Sequence, residues 1–194
     1  MHGDKLAVAS ARFRLGDKRH AGRATADFNV DGIAANGSPV LKGGLDGSGY
    51  AYSASLLGTS IAWSGASFTL GGAGTSDAVS NTTIALPAGN DTTLSLLATG
   101  VNGNQLNQVF IVTYTDGTTS RFTQSLSDWY TPENYAGESR ALTMAYRVTQ
   151  SGALDNRTFY LYGYSFALNS AKTVKSITLP DNRSVVVLAI DLTP

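Results

Sequence analysis

Gln108-Val109-Phe110-Ile111-Val112-Thr113-Tyr114-Thr115-Asp116-Gly117-Thr118-Thr119-Ser120-Arg121-Phe122 is the stretch whose reading decides the fold. β-branched and aromatic residues run up to an Asp-Gly pair and resume beyond it. Asp and Gly both tolerate positive φ, so the stretch reads as an antiparallel hairpin closed by a tight type I′ turn. On the incoming strand Phe110, Val112 and Tyr114 face one way, and Val109 and Ile111 the other. Apolar residues on both faces predict a central strand.

The same pattern spreads outward. Short β-like segments at 49–53, 60–64, 67–70, 82–86, 92–101, 142–148, 158–168, 173–179 and 184–192 are separated by Gly, Asn, Asp and Pro clusters. Such spacing predicts a single all-β sandwich, jelly-roll-like, of about ten short antiparallel strands. The last segment is apolar on both sides, with Val186, Leu188, Ile190 and Leu192 against Val185, Val187 and Ala189, and so also reads as central. Leu142, Met144, Tyr146 and Val148 alternate with Thr143, Arg147 and Thr149, which predicts one wet face. No segment keeps a helical period for three turns, although residues 54–57 suit a single turn. The sandwich is expected over 26–194. Residues 1–25 form a basic leader in which Ala7, Ala9, Ala11, Phe13 and Leu15 alternate with polar positions, the pattern of a strand docked on the sandwich or on a second copy.

Only 14% of the 194 residues are charged, with 14 basic and 14 acidic side chains, against about 25% in an ordinary soluble domain. The zero net charge gives no concentrated positive field for nucleic acid, and no apolar run is long enough for a membrane helix. There is no cysteine, and both histidines, His2 and His20, lie in the leader. Ser-His-Asp catalysis and His/Cys zinc sites therefore have no residues in the body. Residues 2–24 lack the charge order and apolar centre of a signal peptide; an extracellular setting is expected from composition instead.

Carboxylates remain. The only two glutamates, Glu133 and Glu138, fall in the longest expected loop, 127–140, with Asp128, Trp129, Tyr130, Asn134, Tyr135 and Arg140. Two carboxyl groups flanking a sugar bond are the equipment of a glycoside hydrolase. A solvated loop carries the same acids, one paired with Arg140, and this is the favoured reading because spacing alone says nothing of the geometry hydrolysis needs. Trp129, Tyr130 and Tyr135 could stack on sugar rings while Glu133, Asn134 and Arg140 bond hydroxyls. Trp129 could equally plug an end of the sandwich. Tyr160, Tyr162 and Tyr164 share one face of a strand and suit an aromatic platform, but Phe166 and Leu168 continue that face, as a core would. Gly163 between them marks a bend or a close backbone approach. Asp27, Asp31 and Asp46 lie in Gly-rich turns, where loop carboxylates suit calcium or simply face water. No other cofactor is expected.

Five motifs taken together, Phe28-Asn29-Val30-Asp31-Gly32-Ile33, Leu45 through Ser53, Val112 through Thr118, Asp128-Trp129 and Lys172 through Pro180, resemble ancillary domains of secreted bacterial glycosidases. The resemblance covers 26–192. It implies a galactose-binding-like or carbohydrate-binding-like sandwich attached to a polysaccharide-active enzyme, with an oligo- or polysaccharide as partner. The leading expectation is a non-catalytic carbohydrate-binding module. The alternatives are a small hydrolase using Glu133 and Glu138, or a structural domain that braces a neighbour or assembles with itself through the leader.

Overall fold

The Asp-Gly hairpin sits inside one sheet of a sandwich. In the computed structural model, which describes Ala24 and residues 26–194, its strands are β7 (Gln105–Tyr114) and β8 (Thr119–Leu126). The turn differs from the type I′ expectation. Gly117 takes positive φ (85°) but Asp116 does not. Gly117 N–H donates to Tyr114 C=O at 3.0 Å, and Tyr114 N–H donates to Thr118 C=O at 3.0 Å. This is a type I turn followed by a left-handed glycine, the three-residue hairpin with a G1 bulge. Asp116 Oδ1 accepts from both the backbone N–H and the hydroxyl of Thr118, at 2.9 and 2.6 Å, which favours the longer loop.

Two four-stranded antiparallel sheets form the body. One runs in the order β5 (Thr83–Ala85), β13 (Val174–Thr178), β7, β8; the other runs β14 (Val185–Thr193), β6 (Thr93–Gly100), β12 (Phe159–Ala167), β9 (Glu138–Met144). Phe110, Val112 and Tyr114 meet Leu94, Leu96, Tyr162, Tyr164 and Phe166 between them. β7 is internal, as predicted. β14 is not: it pairs with β6 alone in its sheet, and its free edge is closed by reciprocal hydrogen bonds between Val79 and Val187 at 2.9 Å.

A third layer explains why β14 is apolar on both faces. β1 (Ile33–Ala34), β2 (Ala51–Ser53), β10 (Arg147–Val148) and β11 (Leu154–Asp155) make a small sheet, and β3 (Ser60–Trp63) and β4 (Ala66–Thr69) a hairpin. With one helical turn, α1 (Ala54–Leu57), they cover the back of the β14–β9 sheet. Ile33, Leu45, Tyr52 and Phe68 share a second core with Leu97, Leu161, Val186 and Leu188. Each such aliphatic side chain contributes about 1.5–3 kcal/mol by leaving water.

The expected strand 142–148 is two strands in two sheets, because the chain bends at 145–146 between β9 and β10. β9 also begins at Glu138, so Glu138 and Arg140 belong to a strand and the loop ends at 137. Gly163 is a close approach: the Trp63 indole lies where its Cβ would stand. Among the described residues fourteen strands are formed, five of them only two or three residues long. The alternation in the leader lies outside the described residues.

Candidate ligand-binding site

The chain leaves β8 into a loop organised by one acid. Asp128 is buried; Oδ2 accepts from Gly103 N–H and Oδ1 from Tyr130 N–H, each at 2.8 Å. Its neighbour Trp129 is thereby turned inward and packs edge-on against Tyr52 (centroids 5.2 Å) and against Phe159 (5.1 Å). Trp129 is 3% exposed. It closes the end of the sandwich and offers no ring to a ligand. Tyr130, the next residue, is 46% exposed.

Charge is concentrated beside Tyr130. Arg157 lies over its ring at 4.9 Å and donates Nε and Nη2 to Asp155 Oδ1 and Oδ2, at 2.9 and 2.5 Å. Arg147 Nε donates to the same carboxylate at 2.9 Å. Its guanidinium stacks on Tyr50 at 3.7 Å, with Trp129 and Phe159 at 5.0 and 4.8 Å, and stands 4.0 Å from Asp46. Asp155 is held below the usual carboxylate range, chiefly by its bond to Arg157 and then by Arg147. Arg157 is raised above its ordinary value, first by Asp155 and then by Tyr130. Beyond Tyr50 opens a groove of about 370 Å³, lined by Ser48, Tyr50, Thr149, Gln150 and Ser151. Two tyrosines thus flank a locked pair of arginines, with hydroxyl and amide groups alongside. The rings present an apolar surface, the Arg157 guanidinium can only donate hydrogen bonds, and the hydroxyls can donate or accept.

The two glutamates have different surroundings. Glu138 accepts from Ser127 N–H (2.8 Å), Ser127 Oγ–H (2.5 Å) and Tyr164 O–H (2.6 Å). Glu133 is exposed and accepts from Asn104 Nδ2 at 3.1 Å. Ser127 Oγ accepts from Glu133 N–H at 2.9 Å while donating to Glu138. Neither glutamate lines the groove beside Tyr50 or any of three further clefts, at 31–41, 82–85 and 107–111. Arg140 lies over the half-buried Tyr160 ring at 4.8 Å and reaches Asn134 at 3.4 Å. Tyr135 is half-buried, and its phenol is raised by partial burial and then by Glu133 and Glu138.

The tyrosine row is not an exposed platform. Tyr162 and Tyr164 are each 1% exposed and face the sandwich core with Phe166, because period-two alternation carries them onto one inner face. Tyr162 donates to Asp128 C=O at 3.0 Å. Burial first, and Glu138 second, push both phenols well above their ordinary value. The three aspartates do not converge either: Asp27 is exposed, Asp31 binds Ser76, and Asp46 Oδ1 caps the turn at Ser48 N–H (2.8 Å). Among the described residues no three His, Cys, Asp or Glu side chains gather as a metal set.

Arg147, Arg157, Asp155 and Tyr50 were not singled out by sequence. The available signal was an arginine within an apolar alternation at Arg147, and the acid–base pair at 155 and 157.

A family model described as the AziU2-like beta-sandwich domain matches residues 23–194. The chain belongs to this family. The AziU2-like match spans both main sheets and the covering third layer, so it supports the sandwich and coincides with the whole described fold. No curated protein matches the chain.

Proposed function

We propose that this AziU2-like domain is a non-catalytic carbohydrate-binding module, acting outside the cell beside a polysaccharide-degrading activity, and that its ligand face is the band from Tyr130 through Arg157 to Tyr50. One observation carries the proposal. The half-exposed Tyr130 ring and the Arg157 guanidinium are fixed in advance by a carboxylate, Asp155, that both arginines share. A prearranged aromatic and hydrogen-bonding surface loses little freedom on binding. The groove beside Tyr50 gives room for a further sugar unit. Hydrolysis finds less support, because Glu138 has its oxygens engaged by Ser127 and Tyr164, whereas a hydrolase needs two carboxyl groups facing across the scissile bond.

Affinity electrophoresis on gels containing xylan, starch, laminarin or arabinogalactan tests this, run alongside a reducing-sugar assay. Wild type should be retarded by at least one polysaccharide without releasing sugar. Tyr130→Ala should weaken retention by about 5–10-fold, the equivalent of about 1–1.4 kcal/mol for one stacking ring. No retention on any gel counts against the proposal. So does sugar release that vanishes in Glu133→Gln/Glu138→Gln, which would make the protein an enzyme.

A further inference from the structure

A cleft more enclosed than the groove beside Tyr50 lies away from the Tyr130 band. It has a volume of about 140 Å³ and is lined by Asp31 and by apolar groups of Ile33, Ala34, Pro39, Val40 and Leu41, with Ala73 and Gly74 at its side. None of its lining residues belongs to the band. Asp31 is 5% exposed. Its Oδ1 accepts from Ser76 Oγ at 2.7 Å, while no donor among the described residues reaches Oδ2. Among the described residues the cation paired with Asp31 is Lys42, whose Nζ stands 3.9 Å from Oδ1 on a side chain that is 70% exposed. Such a long, solvated contact is worth little. Among the described residues Oδ2 is thus the oxygen left open to the cleft, and a largely buried carboxylate beside apolar groups favours a cationic donor there.

The backbone around Asp31 is held in place from behind. Asp77 is fully buried and accepts from Gly32 N–H at 2.8 Å and Ile33 N–H at 3.0 Å, one on each oxygen. These bonds fix the two residues that follow Asp31, so the carboxylate and the apolar wall keep a constant relation. The volume is close to that of an apolar cavity able to hold a single benzene-sized molecule, about 150 Å³. The wall selects an organic stem, and Asp31 rejects anions.

We propose that this cleft is a binding site for a small primary ammonium compound, with the ammonium on Asp31 Oδ2 and a compact apolar stem against Ile33, Pro39, Val40 and Leu41. Lys42, beside Oδ1 at the mouth, competes weakly for the same carboxylate charge.

The probe is 3-methylbutylamine, compared with its neutral counterpart 3-methylbutan-1-ol, titrated into the full chain and followed through the backbone amides of Ala34, Val40 and Gly74. The amine should perturb these amides and bind at least about tenfold tighter than the alcohol, as expected for a charge-assisted bond in a desolvated site. Asp31→Asn should remove that preference. Lys42→Ala, a change at an exposed side chain that leaves folding intact, should tighten amine binding by about threefold through loss of the competing cation. Equal affinity for amine and alcohol, or amine binding unchanged in Lys42→Ala and Asp31→Asn, overturns the proposal. Absence of shifts at those amides up to tens of millimolar amine overturns it as well.

Discussion

Glu138 shows how a residue with catalytic promise is taken up by structure. Its carboxylate ties the start of β9 to Ser127 at the end of β8 and to Tyr164 in β12 through three hydrogen bonds. Substituting Glu138→Gln removes the charge from all three and leaves one donor facing the Ser127 group. It should cost about 1–3 kcal/mol in urea unfolding, with polysaccharide retention unchanged. A variant of normal stability that has lost retention would place Glu138 in the ligand site. Sequence made both fates visible, because a carboxylate near three aromatics suits either, and only the positions of Ser127 and Tyr164 separate them. Trp129 was legible in the same two-sided way. The Asp128 turn decides it, since bonds to Gly103 and Tyr130 leave the indole no direction but inward. The placing of Arg147 and Arg157 was not legible because the rings they cover, Tyr50, Tyr130 and Phe159, come from three separate segments.

At the level of elements, periodicity reported which faces are covered more faithfully than which strands are neighbours. β7 and β14 read alike in sequence, and only β7 lies inside its sheet. β14 owes its second apolar face to the third layer, built from residues 30–80 together with β10 and β11, which alternation within a single strand has no means of showing. The hairpin turn came out one residue longer than the Asp-Gly pair suggests, since Thr118 offers Asp116 both a hydroxyl and an amide. Gly163 reads in sequence as a bend or a close backbone approach; the structure shows a close approach by a side chain, that of Trp63, whose Nε1 donates to Ser139 Oγ at 3.0 Å. Gly163→Ala should displace the indole from β12 and cost about 1–3 kcal/mol by overpacking. Its signature is a red-shifted Trp63 emission alongside the lower unfolding midpoint, measured in a Trp129→Phe background. An unchanged midpoint and spectrum would mean that the β3–β4 hairpin does not seat on β12 as described.

Across the whole molecule, the third layer is pinned by a buried acid with an unusual titration. Burial pushes the Asp77 carboxyl up to about 8, against the lowering effect of its bonds from Gly32 and Ile33, with Asp31 raising it further. The folded state therefore binds a proton here that the unfolded chain releases near its ordinary value of 3.8. Stability from this group falls as pH rises from about 4 to about 8, then levels off. The difference in unfolding free energy between wild type and Asp77→Asn should move against wild type across that window. A difference that is flat, or that favours wild type with rising pH, contradicts the assignment. The sandwich itself was legible from strand spacing and turn residues, and the AziU2-like family match extends over the same span. The function rests on fewer residues, and one measurement addresses it most directly. It is an amide-resolved titration of the domain with oligosaccharides cut from whichever polysaccharide retains it. The account predicts shifts centred on Tyr130, Asp155, Arg157 and Tyr50, greatly reduced in Arg157→Ala. Shifts centred elsewhere, or none in the presence of any oligosaccharide, would contradict it.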